Sequence, residues 1–177
     1  DGRPEGITEL GSNRTEFDPN GSSKIVMTLT YHPPNQPALL TETRELHISR
    51  PEPDGSFLID WQSRFTAHDH RVELERTPIS GQTGCKSWGE YAGLGLRLDT
   101  RTLKSIQLSD DQGRHGLDIH GQPARWTDVS GTLLATDQQA GITIFDHPDN
   151  PRHPPPGYVI NHELPAHHNR SEERRVG

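Results

Sequence analysis

A two-residue alternation of apolar and polar side chains, interrupted by turns of proline, glycine, asparagine and aspartate, constrains this chain more than any other feature. It is clearest over residues 56–67, where Phe57, Ile59, Trp61, Phe65 and Ala67 share one parity. That is the period of a strand with one buried face, and the apolar face is expected to be core. Residues 23–31 alternate in the same way, with Ile25, Met27, Leu29 and Tyr31 opposite Val26, Thr28 and Thr30. In 39–49, Leu40, Leu46 and Ile48 take one parity and Thr41, Thr43, Glu45 and His47 the other. Asp54-Gly55 sits at the tip of the turn between the last two of these, a combination suited to positive φ in a hairpin. With a shorter segment at 71–76 carrying Val72 and Leu74, residues 23–76 read as an antiparallel meander of four strands.

Further short strands are expected at 91–98, 103–108, 115–120, 124–130, 132–137, 140–146 and 157–162. A spacing of roughly 8 to 12 residues with turn signals between is the signature of an all-β, antiparallel β-sandwich or barrel. No helix, repeat or second domain stands out. Residues 1–22 carry no period and read as a polar loop or frayed edge; 23–165 read as one incomplete β-sandwich domain. The terminal stretch 166–177, ending Arg-Ser-Glu-Glu-Arg-Arg-Val-Gly, reads as non-native or disordered, and both ends look truncated.

Composition narrows the function classes. Only 28% of the 177 residues are hydrophobic, with 17 Gly and 15 Pro, which favours short strands over long helices. A formal charge of -7 with no basic stripe argues against a nucleic-acid partner. No apolar run approaches the ~20 residues that span a bilayer, so a soluble chain is expected. The single Cys85 has no base placed beside it and no partner for a disulfide.

Chemistry concentrates where the apolar strand at 141–145 runs into Asp146-His-Pro-Asp-Asn-Pro-Arg-His153. Asp146 with His147 is the leading acid–base candidate, and Glu163 is a second carboxylate beyond the next strand. Asn150 and Arg152 lie in the same turn as ligand-binding candidates. Asp146 is equally suited to a structural turn role. Arg97, opposite Leu94, Leu96 and Leu98, reads either as a guanidinium on an open face for a carboxylate, phosphate or sugar hydroxyl, or as a solvated strand arginine. Trp126 and Asp128 share a face, an arrangement that suits a sugar, ring against C–H groups and acid against hydroxyls, and suits core packing as well. His68-Asp69-His70 has a metal-ligand spacing but falls in an expected turn. No metal or other cofactor is assigned.

Three segments together resemble the PmoA-like family of bacterial proteins of unknown function: Trp88-Gly-Glu-Tyr-Ala-Gly-Leu-Gly-Leu-Arg97, Ala124-Arg-Trp-Thr-Asp-Val-Ser-Gly131 and Gly141-Ile-Thr-Ile-Phe-Asp-His-Pro-Asp-Asn-Pro-Arg152. Phe57-Leu-Ile-Asp-Trp61 fits the strand upstream, and the resemblance covers about 23–165. It implies a sandwich similar to part of a galactose-mutarotase-like supersandwich, a link to carbohydrate, and bacteria with the protein in the periplasm or outside the cell. The methane-oxygenase label attached to that family is rejected, because this chain has no apolar spans and no copper site legible in its sequence. Two expectations follow: a carbohydrate-binding or carbohydrate-active protein with acid/base residues at strand ends, or a non-catalytic binding or accessory β-sandwich module. Either takes a small-molecule or oligosaccharide ligand, and whether it is an enzyme stays open.

Overall fold

In the computed structural model, residues 6–74, 83, 94–96, 98, 103–157 and 159 are described. The described chain is all-β apart from one 3₁₀ turn, with two antiparallel sheets in two compact units, residues 1–74 and 75–177. These are the elements that the all-β, antiparallel expectation requires.

The first unit is a four-stranded meander in the order β1-β2-β3-β4: Ile7–Phe17, Ser23–His32, Leu40–Ile48 and Ile59–Ala67. Its turns are the ones the residue types call for. Gly21 and Gly55 adopt φ of 89° and 87°, a region that costs a side chain dearly and glycine little. Asp54 Oδ1 accepts from the Ser56 amide at 2.9 Å, which closes the Asp-Gly turn expected there.

Register decides the two faces of this sheet. Ile25 lies opposite Leu46 and Leu46 opposite Trp61, and the next row on the same side is Met27, Arg44 and Ser63. Leu29, Glu42 and Phe65 make a third row, and Tyr31, Leu40 and Ala67 a fourth. One face is therefore apolar with Glu42 and Arg44 set into it. The other carries Lys24, Glu45, Gln62 and Arg64, with a 2.6 Å Lys24–Glu45 ion pair.

Three expectations need correction here. The polar loop expected in 1–22 contains β1, and the fourth strand of the meander is this one, because residues 71–74 are not a strand. β1 is an edge strand exposed along its whole length, so neither face imposes the alternation by which a strand is recognised. The face of Phe57, Ile59, Trp61, Phe65 and Ala67 is not closed core. Ile59, Trp61 and Phe65 are 53%, 43% and 46% exposed. Periodicity identifies the apolar side of a strand, whereas enclosure depends on what packs against it, and β4 has only β3 beside it in its sheet.

The second unit holds a three-stranded sheet, β5-β6-β7: Leu103–Asp110, Trp126–Leu133 and Gln139–Phe145. The strand expected over 115–120 is a 3₁₀ turn, Gly116–Ile119, joined to β5 by an isolated Ser109–His115 bridge. Positive φ at Gly113, Gly116 and Gly121 prevents an extended run. Ile119, fully buried, plugs this turn. The strand expected at 132–137 ends at Leu133, where a turn through Asp137 at φ 58° leads into β7. Of the segments expected at 91–98 and 157–162, residues 94–96, 98, 157 and 159 are described and none of them is in a strand; the others lie outside the described residues.

In the β6–β7 pairing Gly141 faces Ser130. A Cβ at Gly141 would stand 2.8 Å from the Val129 carbonyl oxygen and 2.9 Å from Ser130 Cβ, inside hard-sphere contact with backbone that cannot easily move. Gly141→Ala is expected to destabilise the protein by about 1–3 kcal/mol in a urea melt. An unchanged midpoint and slope would disprove this packing.

Candidate functional site

The end of β7 brings together part of the cluster expected there. The Asp146 amide donates to the Arg125 carbonyl at 2.8 Å, extending the β6–β7 pairing by one residue and turning the Asp146 side chain towards the loop. Asn150 Nδ2 donates to Asp146 Oδ1 at 2.8 Å, and His153 Nδ1 pairs with Asp146 Oδ2. The chain folds back because the Asn150 amide bonds the His147 carbonyl at 2.9 Å and the His153 amide bonds the Asn150 carbonyl at 3.2 Å. Proline at 148 and 151 leaves these two amides among the few donors available in the turn. Arg152 sits at φ 63° with an exposed side chain that holds no part of this network.

The imidazole that meets Asp146 is thus His153, not His147. The His147 side chain is 69% exposed, its Nδ1 accepting from the Asp149 amide at 3.2 Å. Asp146 and His153 are both largely enclosed. Adjacent residues at a strand end diverge, whereas a seven-residue loop can return a side chain to its starting point, so the imidazole that bonds Asp146 is the more distant one. Glu163 and Arg97 lie outside the described residues.

On one face of the second sheet, Trp126 lies opposite Phe145 and Asp128 opposite Thr143. Thr143 Oγ1 donates to Asp128 Oδ1 at 2.7 Å. The shared face of Trp126 and Asp128 is therefore continued by Phe145 and Thr143. Further along, Ser105, Gln107, Ser130, Gly131, Thr132 and Gln139 line a shallow recess of ≈ 100 Å³. From Trp126 to Thr132 is six residues, roughly 20 Å of strand.

Beside this face lies a paired-charge support. Asp111 accepts from the Arg125 side chain at 2.7 Å and from its amide at 2.9 Å. The Arg125 guanidinium, with help from Gln112, holds the Asp111 carboxyl down at about 2. Asp110, enclosed at the end of β5, accepts from the Gln112 and Arg114 amides, both at 3.0 Å, and from Arg114 Nε at 2.6 Å. Burial pushes the Asp110 carboxyl up, but the Arg114 bonds outweigh it and keep it low. Arg114 reaches on to the Pro123 carbonyl at 2.6 Å, pinning the loop that delivers Trp126.

The first sheet holds a second cluster that alternation alone does not reveal. Glu42 is fully enclosed in the middle of the apolar face. Arg44 grips it through Nε at 2.7 Å and Nη2 at 2.9 Å, Ser63 Oγ donates at 2.6 Å, and Tyr31 Oη donates to the other oxygen. Trp61 Nε1 donates to Ser63 Oγ at 3.0 Å, and the Arg44 guanidinium lies 4.8 Å from the Trp61 ring centroid. Burial pushes the Glu42 carboxyl up; hydrogen bonds from Arg44, Ser63 and Tyr31 outweigh it and hold it below its usual range. Burial and then the neighbouring carboxylate push the Tyr31 phenol up. The available signal was two ionisable residues, Glu42 and Arg44, on the parity of Leu40, Leu46 and Ile48.

His68, of the His68-Asp69-His70 triplet, pairs with Thr41 through Nε2 at 2.7 Å. Among the described residues no group of three or more His, Cys, Asp or Glu side chains is arranged to hold a metal ion. Nor is any helix among them long and apolar enough to cross a membrane.

These features are met in a chain whose residues 5–176 match a family of unknown function, DUF6807. The chain belongs to that family. The matched span takes in 166–176, the stretch that reads from sequence as a non-native tail. No curated protein and no solved structure matches the chain.

Two measurements test this geometry. His153→Ala is expected to lower stability by about 1–3 kcal/mol, because it strands an enclosed carboxylate, while His147→Ala should stay within about 0.5 kcal/mol of the parent. The reverse order in urea melts would restore the Asp146–His147 pairing. The second concerns pH. A folded Glu42 carboxyl below its unfolded value of 4.5 contributes stability that is complete above about pH 4.5 and is lost as pH falls through the lower folded value. Glu42→Gln should therefore flatten the acid limb of a stability profile taken from pH 6 to pH 3. An acid limb as steep as the parent's would remove Glu42 as its source.

Proposed function

We propose that this protein binds carbohydrate on the β5–β6–β7 face, with the Asp146–His153 pair at its edge as the groups available for proton transfer. The observation that carries the reading is the Trp126–Phe145 cross-strand aromatic pair leading into a row of hydroxyls, amides and one carboxylate. Sugars present alternating C–H and O–H surfaces, which call for an aromatic ring face followed by hydrogen-bonding groups that accept and donate. Phe145 is 66% exposed, so its ring is available to a ligand. A polar surface roughly 20 Å long suits an oligosaccharide better than a single ring. The resemblance to the PmoA-like family and through it to galactose-mutarotase-like sandwiches supports the same substrate class, by fold analogy. Placement in the periplasm or outside the cell belongs to that proposal.

A non-catalytic binding module is the second reading, and one observation favours it. Both Asp146 oxygens are already engaged, by Asn150 and His153, so the carboxylate is committed to the turn. In the catalytic reading His153 carries the proton and Asp146 orients its ring through Nδ1.

Thermal melts against a panel of neutral sugars, sugar acids and their oligomers test the binding. A ligand at about 100 times its Kd should add roughly 2.7 kcal/mol. Trp126→Ala should weaken the affinity at least tenfold, about 1.4 kcal/mol. A panel that shifts nothing, or a Trp126→Ala protein that binds as the parent does, would overturn the proposal. For a sugar that binds, product formation by the parent and its loss in His153→Gln separates the enzyme from the module.

A further inference from the structure

The Glu42 cluster in the first unit is unusually costly for a purely structural feature. Removing a carboxylate and a guanidinium from water costs several kcal/mol per ion, and a well-packed apolar pair at the same positions is often as stable or more so. Leucine or isoleucine already occupies the same parity at 40, 46 and 48. Here the ion pair is placed in the apolar face and fully satisfied. Four of its contacts converge on Glu42, and a fifth hydrogen bond joins Trp61 to Ser63.

The result is a rigid polar centre between exposed rings. Trp61, Ser63 and Phe65 occupy alternate positions of β4 and share one face, so Trp61 and Phe65 stand roughly 13 Å apart along the strand. Both rings are nearly half exposed, as is Ile59 at the next position of that face. Arg44 is fixed against Trp61 and bonds Glu42 through Nε and Nη2, with its side chain still 24% exposed beside the ring. The centre is electrically neutral as a whole, the Glu42 carboxylate cancelling the Arg44 guanidinium. That balance disfavours an anionic ligand, which would meet a carboxylate behind the guanidinium, and favours an uncharged one rich in hydroxyls.

We propose that the β4 face of the first unit is a second, independent carbohydrate site, in which Trp61 and Phe65 support an extended neutral oligosaccharide and Arg44 and Ser63 bond its hydroxyls. Glu42 is a positioning residue: it fixes the guanidinium, the serine and Tyr31 without contacting the ligand. The spacing of the rings requires an oligomer, since one sugar ring cannot cover both. This site does not share a residue with the β5–β6–β7 face, so either can fail alone.

The test is titration of the full chain with neutral glucan, xylan and galactan hexasaccharides and the corresponding monosaccharides, following the indole N–H resonance of Trp61 by NMR. A hexasaccharide is expected to shift that resonance and to bind at least tenfold more tightly than its monosaccharide. Phe65→Ala, at an exposed position, should weaken this event at least tenfold and Trp126→Ala should leave it unchanged; by isothermal titration calorimetry, Trp61→Phe should retain most of the affinity. Glu42→Gln should weaken it several-fold while the melt stays cooperative. No shift of the Trp61 resonance with any hexasaccharide, equal affinity for monomer and hexamer, or full affinity in Phe65→Ala would each overturn the proposal. Loss of all binding in Trp126→Ala would assign the ligand to the β5–β6–β7 face alone.

Discussion

The antiparallel hydrogen-bond ladder is the constraint on which the rest of this structure depends. Side chains alternate at each residue, so a slip of one position would reverse every face. The β2–β3 and β3–β4 registers place Glu42 beside Phe65 and Arg44 beside Ser63. The same logic in the second unit puts Trp126 against Phe145 and Asp128 against Thr143. Few described residues are buried; among apolar ones Leu40, Ile119 and Ala124 are, which leaves the ladders and the turns that set them with a large share of the specification.

Polar groups take over where apolar enclosure is thin. Asp110 gathers the Gln112 and Arg114 amides and the Arg114 side chain into one knot, and Arg114 passes the constraint to Pro123. Asp146 does the same for the turn after β7. Each is a carboxylate that meets backbone or charged donors near a strand end, where unpaired amides would otherwise be left to solvent. Glu42 differs because it sits in mid-strand, with no loose backbone donors to satisfy. Its partners are all side chains, and they lie on three different strands. A cluster of that kind organises a surface more than it stabilises a sheet, which is why it draws a functional reading.

Membership of a family of unknown function leaves the chemistry to be argued from such surfaces. The two units present related solutions: exposed aromatic rings on one sheet face, with hydrogen-bonding side chains held in place by paired charges. In one unit the pairs stand behind the loop that delivers Trp126; in the other the pair is embedded between Trp61 and Phe65.

The residue order alone determined the all-β class, the positions of β2, β3, β4, β5 and β7, the Asp54-Gly55 turn, and the shared face of Trp126 and Asp128. These are local properties, carried by period and turn chemistry within a few residues. β1 escaped because an edge strand exposed on both sides has no reason to alternate, and 116–119 misled because Leu117 and Ile119 alternate in a segment that glycines bend into a 3₁₀ turn. Only the tertiary structure decided that Asp146 meets His153 instead of its neighbour His147, that the apolar face of β4 stays half exposed, and that Tyr31, Ser63 and Arg44 close around Glu42. Those outcomes depend on which distant side chains the register and the loop return bring within 3 Å or so of one another, and hydrogen bonding acts only at that range.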